Sequence, residues 1–564
     1  MARGWRAADL LVRGGRVVDG TGYPGYTADI EIEAGRIRRI GRITDSAHRT
    51  VEADGLVVAP GFIDIHTHYE AQLHFEPTAT PSCWHGVTTV LTGNCGFTLA
   101  PSRPEDVGWL LQMLSRVEGM PLDALTGSVD FAGGTVSGLL GGLDGRLGVN
   151  MAVFAGHSSM RRAAMGEAAS ERTATADEIA VMCGLLRAAM IEGAIGFSTS
   201  QLDIHADHEG RPVPSNLAGP DELIALSAVM GEFDHGMVEF LPRTGSEGYS
   251  PEDRALMLAM SAAAAKPMNV NPLTRFPACP DGWERSLEFC EDALRNGHRI
   301  HPMFSINVKG IHFALESTFV LDEMATFRRV LTLALEERVG ALRDPSVRAQ
   351  LHAEFSDTAG RAMVFGWDEV KIASAGAGHE DWIGRTVSEM AARQGVDGLD
   401  WMIDAALSEQ LETVFVWERR PDPLITETTN ALIRHPLTMA GSSDGGAHLL
   451  TFCGADYTTR LLTEPVPNVI TLEQAVSRLT MQPAVLHGLW DRGMIRPGAA
   501  ADLVLFDPDA LAVTPIRFAR DFPGGAARLI FGSEGYHATI INGEVLIEAG
   551  QHSGALPGVA LRCG

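Results

Sequence analysis

The chain has 564 residues and a formal net charge of −26, with 71 acidic and 45 basic side chains, and 45% of its residues are hydrophobic. This length suits one large domain with a smaller one, the composition is that of a globular protein, and a polyanion is a poor partner for nucleic acid or anionic membranes. The sequence contains neither the apolar segment of a signal peptide nor an apolar run of about 20 residues. Its seven cysteines are irregularly spaced, which favours a reducing compartment. We therefore expect a cytoplasmic protein without a membrane span.

Short β-strands are predicted near both ends of the chain. Residues 10–18 are rich in β-branched side chains, and residues 29–33 alternate strictly between polar and apolar. Near the other end, residues 502–506 form a short apolar strand. We expect residues 1–60 and 491–564 to build one small β-sandwich, which requires the two ends to meet.

The middle of the chain, residues 61–490, alternates short apolar strands with helix-like segments. Eight segments share the strand pattern, at 62–66, 88–92, 149–155, 194–199, 237–241, 267–271, 299–304 and 437–442. Eight strands alternating with helices predict an α/β fold, a (β/α)₈ TIM barrel. The long interval before the last strand contains charged helical segments, so we expect a helical insertion at about 310–400 that caps the catalytic face.

Two histidines follow the first barrel strand, in the segment PGFIDIHTH from Pro60 to His68. His66 and His68 are two positions apart, and alternate residues of a strand point to the same side, so both imidazoles can bind one ion. At the C-terminal end of a barrel strand they lie on the face where TIM barrels carry out catalysis. Histidine pairs with this spacing also arise by chance, so the pair alone is weak evidence.

Two further candidate metal ligands follow other strands. Cys95 comes after the second strand, between Asn94 and Gly96, where a thiolate can bind zinc and bridge two ions. A cysteine seen alone is better explained as a buried core residue. Asp444 follows the eighth strand within SSDGGAH, where a carboxylate can bind metal and move a proton. An aspartate beside glycines is also a common turn residue.

These motifs, in this order, resemble the amidohydrolase superfamily, and more narrowly its N-acyl-D-amino-acid deacylase (D-aminoacylase) branch. The matching segments are GFIDIHTH, HGVTTVLTGNCGFTLAP, GHSSMR, GAIGFSTS and SSDGGAH, with ADLLVRGGRVVDGTG and PGAAADLVLFDP near the two ends. The resemblance implies a distorted TIM barrel with a composite β-sandwich. It also implies a zinc hydrolase that cleaves a C–N amide bond other than a peptide bond and removes an acyl group from an amino-acid nitrogen. By position, it makes His66, His68, Cys95 and Asp444 ligands of one or two zinc ions, with Asp444 also the proton shuttle.

The lysine content bears on how two metals would be bridged. Many binuclear amidohydrolases use a carboxylated lysine after the fourth strand. This chain has only three lysines, Lys266, Lys309 and Lys371, and its fourth strand has none. The resemblance therefore makes Cys95 the natural bridging ligand.

The fifth and sixth strands depart from the pattern of the branch. Typical members place a histidine after each of them, whereas this chain reads MVEFL and PMNVN there. Glu239 can supply an oxygen ligand, while Asn269 or Asn271 is a poor one, because neutral amides bind zinc weakly. His301 is a further candidate ligand, although the chance occurrence of a histidine in a strand explains it better. The second metal site is thus either rebuilt or absent, or catalysis differs.

Other polar residues near strand ends are candidates to contact substrate, namely Tyr69, Glu70, His157, Arg161 and Arg275. Arg161 or Arg275 can form a bidentate pair with a substrate carboxylate, although a structural ion pair explains each equally well. His205 and His208 resemble a metal-binding pair, but a solvated loop is the better interpretation because no strand presents them.

The sequence therefore predicts a metal-dependent amidohydrolase for a small-molecule substrate, without nucleic-acid or membrane partners, and leaves open whether it forms a homo-oligomer. A first alternative is a mononuclear hydrolase or deaminase acting on a cyclic amide or another metabolite, motivated by the missing histidines. A second is a catalytically inactive binding protein, against which the retention of all four candidate ligands argues. The D stereochemistry of the substrate rests on the resemblance alone.

Overall fold

A computed structural model describes residues 8–243, 248–276, 279–306, 310–316, 318, 320–359, 361, 363–418, 422–441, 443–452 and 454–564. Lys309, Ser442 of the SSDGGAH motif and one of the seven cysteines, Cys453, lie outside this described part. Among the described residues, every helix is too short or too polar to cross a membrane.

The described chain starts with five strands of one mixed sheet. They are β1 (Ala8–Val17), β2 (Tyr26–Glu33), β3 (Arg36–Gly41), β4 (Ala47–Glu52) and β5 (Val57–Pro60). The antiparallel ladder between β1 and β2 shifts register between Val12 and Gly15. Gly14 has a φ of 77° there, a backbone conformation that glycine adopts without strain. The glycine pair thus bends β1 without ending it.

Seven parallel strands of the barrel follow. They are β6 (Phe62–Asp64), β7 (Val87–Thr92), β8 (Asn150–Gly156), β9 (Gly196–Ser200), β10 (Met237–Leu241), β11 (Met268–Val270) and β12 (Ile300–Ser305). All residues of β6 to β11 are buried, as expected where helices cover the outer face of a parallel sheet. The intervening helices are α1 (Val107–Val117), α2 (Leu122–Ser128), α3 (Val136–Leu143), α4 (His157–Met165), α5 (Ala176–Ile191), α6 (Pro220–Met230), α7 (Pro251–Ala264) and α8 (Gly282–Arg295).

A cap with its own hydrophobic core is inserted before the last barrel strand. Its strands are β13 (Ile311–Phe313), β14 (Val370–Ser374) and β15 (Val414–Trp417), and its helices are α9 (Ala325–Leu331), α10 (Leu335–Arg343), α11 (Pro345–Ser356), α12 (Val387–Gln394) and α13 (Gly398–Ser408). The three strands form a small antiparallel sheet in the order β13-β15-β14. Phe313, Phe327 and Phe415 are among the buried side chains of the cap core.

The barrel is completed by helix α14 (Pro423–Arg434) and strand β16 (Met439–Gly441). The eight parallel strands run in the order β16-β12-β11-β10-β9-β8-β7-β6. Just beyond the ends of the first and last strands, the His68 N–H donates to the Gly445 carbonyl at 2.7 Å, which links the two edges. The predicted (β/α)₈ barrel is confirmed, and its first and last strands carry two of the predicted motifs side by side.

The last part of the chain returns to the first sheet. Helices α15 (Tyr457–Thr463), α16 (Leu472–Leu479) and α17 (Met481–Leu486) precede strands β17 (Leu503–Phe506), β18 (Ala512–Val513), β19 (Arg517–Ala519), β20 (Arg528–Ile530), β21 (Ser533–Glu534), β22 (Tyr536–Ile541), β23 (Glu544–Glu548) and β24 (Gln551–His552). Strand β17 pairs with both β5 and β22, giving the order β24-β23-β22-β17-β5-β1-β2-β3. The two ends therefore meet in one β domain, as the sequence predicts.

Candidate metal centre

The four predicted ligands converge at the C-terminal end of the barrel. His66 and His68 follow β6, Cys95 lies in a 3₁₀ turn after β7, and Asp444 follows β16. His66 Nε2 is 3.4 Å from the Cys95 Sγ and 3.4 Å from Asp444 Oδ1. Ligand atoms of His66, His68 and Cys95 all lie within 4.8 Å of one another. Separations of this size allow one ion to contact the two histidines and the cysteine, and Asp444 lies next to His66.

The donor set matches zinc. Two imidazole nitrogens, a sulfur and a carboxylate oxygen are the ligands zinc takes in proteins. Burial lowers the pKa of His66 to about 3 and that of His68 well below its ordinary value, so both rings are neutral and able to bind a metal. Burial, together with Glu239 and other nearby carboxylates, raises the pKa of Cys95 well above its ordinary value. A thiolate at this position therefore requires a cation beside it.

Two of these residues hold unusual backbone conformations. Cys95 has a φ of 57° and Asp444 a φ of 47°, both in the left-handed region, which is unfavourable for residues with a Cβ. Gly445 and Gly446 follow Asp444, and a Cβ on Gly446 would lie 2.5 Å from the His68 carbonyl oxygen. The glycines of SSDGGAH thus let the Asp444 loop pack directly against the backbone of the histidine motif. Such strain is typical of functional positions.

Glu239, within β10, and Asn271, just after β11, lie beside the candidate ligands. Glu239 Oε2 accepts the Cys95 N–H at 2.9 Å, and its Oε1 accepts from Asn271 Nδ2 at 2.9 Å. Asn271 Nδ2 is also 2.7 Å from His66 Nδ1. The other two residues considered as ligands in this region, Asn269 and His301, have other partners. Asn269 donates to the His301 carbonyl, and His301 Nδ1 is 3.1 Å from the Leu437 carbonyl.

A cavity of about 290 Å³ opens onto the candidate ligands. Its wall includes Arg116 and Glu118 from α1 and the turn after it, His205 from the loop after β9, and His448 from the loop after β16. The cap contributes Ile311, Asp322 and Met363 and so covers the mouth of the barrel.

The residues predicted to contact substrate lie outside this cavity wall. The Tyr69 hydroxyl forms a hydrogen bond with the Ser82 hydroxyl, and Tyr69 lines a separate small pocket beside Asp444. Glu70 accepts a hydrogen bond from the Gly93 N–H at 3.3 Å. His157 contacts Thr199 and Glu222, each at 2.8 Å, and Arg161 is fully buried in an ion pair with Glu222. Arg275 is half-buried in the loop after β11. The arginine in the wall is Arg116, one guanidinium nitrogen of which donates to both carboxylate oxygens of Asp322 in the cap.

The cavity residues not assigned to the site from the sequence include Glu118, His205 and His448. Glu118 is buried, with Oε1 3.6 Å from His68 Nδ1 and Oε2 3.5 Å from His448 Nε2. His205 places Nδ1 3.2 Å from Ser200 Oγ and packs on Phe97, so it is not in a freely solvated loop. His448 ends the SSDGGAH motif, which is the one signal that pointed to it. Glu118 carries no motif, because its position depends on how α1 folds back over the barrel.

The chain is similar to known proteins over most of its length. The model of the Amidohydrolase family matches residues 49–547. A D-aminoacylase from Alcaligenes xylosoxydans xylosoxydans is 27% identical over 568 residues, covering 97% of this chain and 96% of that protein. An N-acyl-D-aspartate deacylase from the same organism is 27% identical over 570 residues, covering 99% of this chain and 95% of that protein.

A solved structure is similar over the whole fold. It is the N-acyl-D-glutamate deacylase from Bordetella bronchiseptica, complexed with zinc and a phosphonate inhibitor that mimics the tetrahedral intermediate. The TM-score is 0.68 at 25% identity, covering 99% of this chain and 100% of that one. The predicted similarity to the N-acyl-D-amino-acid deacylases is confirmed, and the chain belongs to the Amidohydrolase family.

Proposed function

We propose that this protein is a zinc-dependent hydrolase that removes the acyl group from an N-acyl-D-amino acid, with His66, His68, Cys95 and Asp444 as the metal ligands. The observation that carries the proposal is that these four side chains lie together in the lining of one cavity. The deacylase relatives, which cover nearly the whole chain, support the reaction class and the substrate class.

The site supports a hydrolytic mechanism. When bound, zinc supplies a Lewis acid that makes water more acidic and polarises an amide carbonyl. His66 and His68 stay neutral in their buried setting and hold the ligand positions. Asp444, whose side chain is about one-fifth exposed, takes the proton from the attacking water on its carboxylate and passes it to the leaving nitrogen. The products are a carboxylate and a free amino acid.

The cap shapes the space in which this reaction occurs. Ile311 and Met363 place apolar side chains in the cavity wall, and Asp322 ties the cap to Arg116 of the barrel. A covered and partly apolar cavity keeps bulk water from the reacting carbonyl and strengthens charge interactions inside it. Its volume suits a small N-acylated compound.

The test is a panel of matched N-acyl-D- and N-acyl-L-amino acids, assayed on metal-depleted enzyme before and after addition of zinc. We expect amine release from the D series that depends on zinc. Hydrolysis of L substrates alone, or of cyclic amides in preference to both, would contradict the proposal. Activity that is independent of metal would remove the role of the four ligands.

The six cysteines within the described part of the chain are all free. Because free thiols persist where the environment is reducing, they support the proposal of a cytoplasmic location.

A further inference from the structure

Glu239, within β10, and Asn271, just after β11, stand where the resemblance to the D-aminoacylase branch implies histidines. We propose that these two side chains are positioning residues that hold His66 and Cys95 in place, and that the centre binds a single tightly held zinc ion. This inference rests on the proposed use of His66, His68, Cys95 and Asp444 as ligands.

Both carboxylate oxygens of Glu239 accept hydrogen bonds from donors of the protein. The side chain is buried, its Oε2 accepts the Cys95 N–H at 2.9 Å, and its Oε1 meets Asn271 Nδ2 at 2.9 Å. Glu239 does not line the cavity, unlike the four candidate ligands. A carboxylate engaged at both oxygens and outside the cavity lining is placed to support ligands rather than to bind an ion.

The contact with Cys95 explains how its turn keeps its shape. Cys95 has φ 57° and ψ 13°, a conformation that its Cβ disfavours. Glu239 holds the N–H of Cys95, and Ser198 accepts the next N–H, that of Gly96, at 3.1 Å. These two bonds fix consecutive peptide groups, and through them they fix the direction of the sulfur.

Asn271 contacts the second ring nitrogen of His66, which is Nδ1. The ring presents Nε2 to Cys95 and Asp444 and Nδ1 to Asn271, at 2.7 Å. When Nε2 binds a metal, Nδ1 carries the hydrogen and needs an acceptor. Asn271 meets this need by rotating its amide, which exchanges the nearly equivalent oxygen and nitrogen. In that orientation the Asn271 oxygen accepts the hydrogen bond from His66 Nδ1.

His68, the second histidine, also has a polar side chain beside its Nδ1 atom. Glu118 Oε1 lies 3.6 Å from His68 Nδ1. Carboxylates and amides behind metal-binding histidines orient the rings and tune the metal, and their loss typically weakens metal binding about 10- to 100-fold. With Glu239 and Asn271 serving in this way, the candidate ligand atoms within reach of one another at this end of the barrel are those of a single site.

The test compares zinc stoichiometry by mass spectrometry, zinc affinity by chelator competition, and the thiolate charge-transfer band of the cobalt-substituted protein. We expect one zinc per chain in the wild type. Asn271→Ala and Glu239→Ala should still bind one zinc, about 10- to 100-fold more weakly, with a shifted cobalt band. Glu239→Gln should stay close to the wild type, because its amide donates to Asn271 and its oxygen accepts from Cys95.

The two glutamate variants separate positioning from ligation. A metal-binding Glu239 predicts two zinc ions in the wild type and the loss of one in both Glu239→Gln and Glu239→Ala, which would overturn the inference. Unchanged affinity and an unchanged cobalt band in Asn271→Ala would overturn it as well. Glu239→Gln preserves side-chain volume, so it carries the test even if Glu239→Ala does not fold.

A matched pair of controls keeps this result distinct from the proposed function. His66→Ala and Cys95→Ser should lose tight zinc binding altogether. If both variants bind zinc as the wild type does, the proposed ligand set fails. If they lose zinc while the wild type holds two ions, the ligand set stands and only the single-ion inference fails.

Discussion

Asp444 follows β16 with a left-handed backbone, and its carboxylate lies 3.4 Å from His66 Nε2. Asp444→Asn keeps the shape and a possible oxygen ligand but cannot take up a proton. We expect kcat to fall by about 10²- to 10⁴-fold, the usual contribution of a general base. Zinc content, measured on the same sample, should be largely retained. Near-wild-type turnover in this variant would remove Asp444 from the proton transfer.

Arg161 has a structural role that a separate variant can isolate. Its guanidinium is fully buried against Glu222, which also contacts His157 at 2.8 Å. Arg161→Ala leaves a buried carboxylate without its cation, so the free energy of unfolding should fall by about 3–5 kcal/mol in urea titrations. KM should change little.

The exposed pair between Arg187 and Glu232 supplies the matched control for Arg161. Arg187→Ala removes an equally well-formed pair at the surface, and its stability should be close to that of the wild type. A large rise in KM for Arg161→Ala at unchanged stability would instead restore the predicted role in substrate binding.

At the residue scale, the sequence was informative where a function is encoded locally. His66 and His68 share one strand end, and Cys95 and Asp444 each sit in a short motif, so spacing and motif order placed them together. Glu118 and His205 come from a helix and a loop whose positions depend on tertiary packing, which no local pattern reports. Arg161 was ambiguous for a related reason, because an arginine after a strand can face either the cavity or a buried carboxylate.

At the scale of elements, close approach of β9 and β10 depends on one glycine. A Cβ on Gly196 would lie 2.2 Å from the Met237 carbonyl oxygen on the neighbouring strand. Gly196→Ala should therefore push the strands apart and lower the free energy of unfolding by about 1–3 kcal/mol, as overpacked cores do. Thermal unfolding measures the change.

Gly184, on helix α5, is the control for this substitution. It is exposed, and an added Cβ meets nothing within 4 Å. Gly184→Ala should stabilise the protein by up to about 1 kcal/mol, because alanine favours helix more than glycine does. Equal effects of the two substitutions would contradict the steric account of Gly196.

All eight barrel strands were predictable because each is a short apolar run followed by turn residues. The bounds differ by a few residues, as at β6, which ends at Asp64 so that His66 and His68 lie just past it. The small sheet of the cap was not predicted. Its strands are short and helices separate them along the chain, so the pairing of β14 with β15 is not visible in a local pattern.

At the scale of the whole molecule, a net charge of −26 acts on any charged substrate. An N-acyl amino acid is an anion, so the field of the protein opposes its approach at low ionic strength. Salt shortens the range of this repulsion to about 8 Å at physiological strength. We expect kcat/KM for an anionic substrate to rise severalfold as salt increases from low to physiological levels.

The carboxamide analogue of the same substrate, which lacks the charge, is the comparison for this measurement. Its kcat/KM should be nearly independent of salt. If kcat/KM responds to salt in the same way for both compounds, ionic strength acts on the enzyme itself and not on the approach of the charged substrate. That result would contradict the prediction.

The pairing of β5 with β17 sets the order in which this protein can fold during synthesis. Pro60 lies opposite Leu503, so the partner of an early strand is made roughly 440 residues later, which at about 5–20 residues per second delays it by on the order of a minute. The edge of β5 that β17 later covers is open on the ribosome throughout this interval. Exposed strand edges promote aggregation, so the nascent chain should depend on chaperones until its last hundred residues emerge.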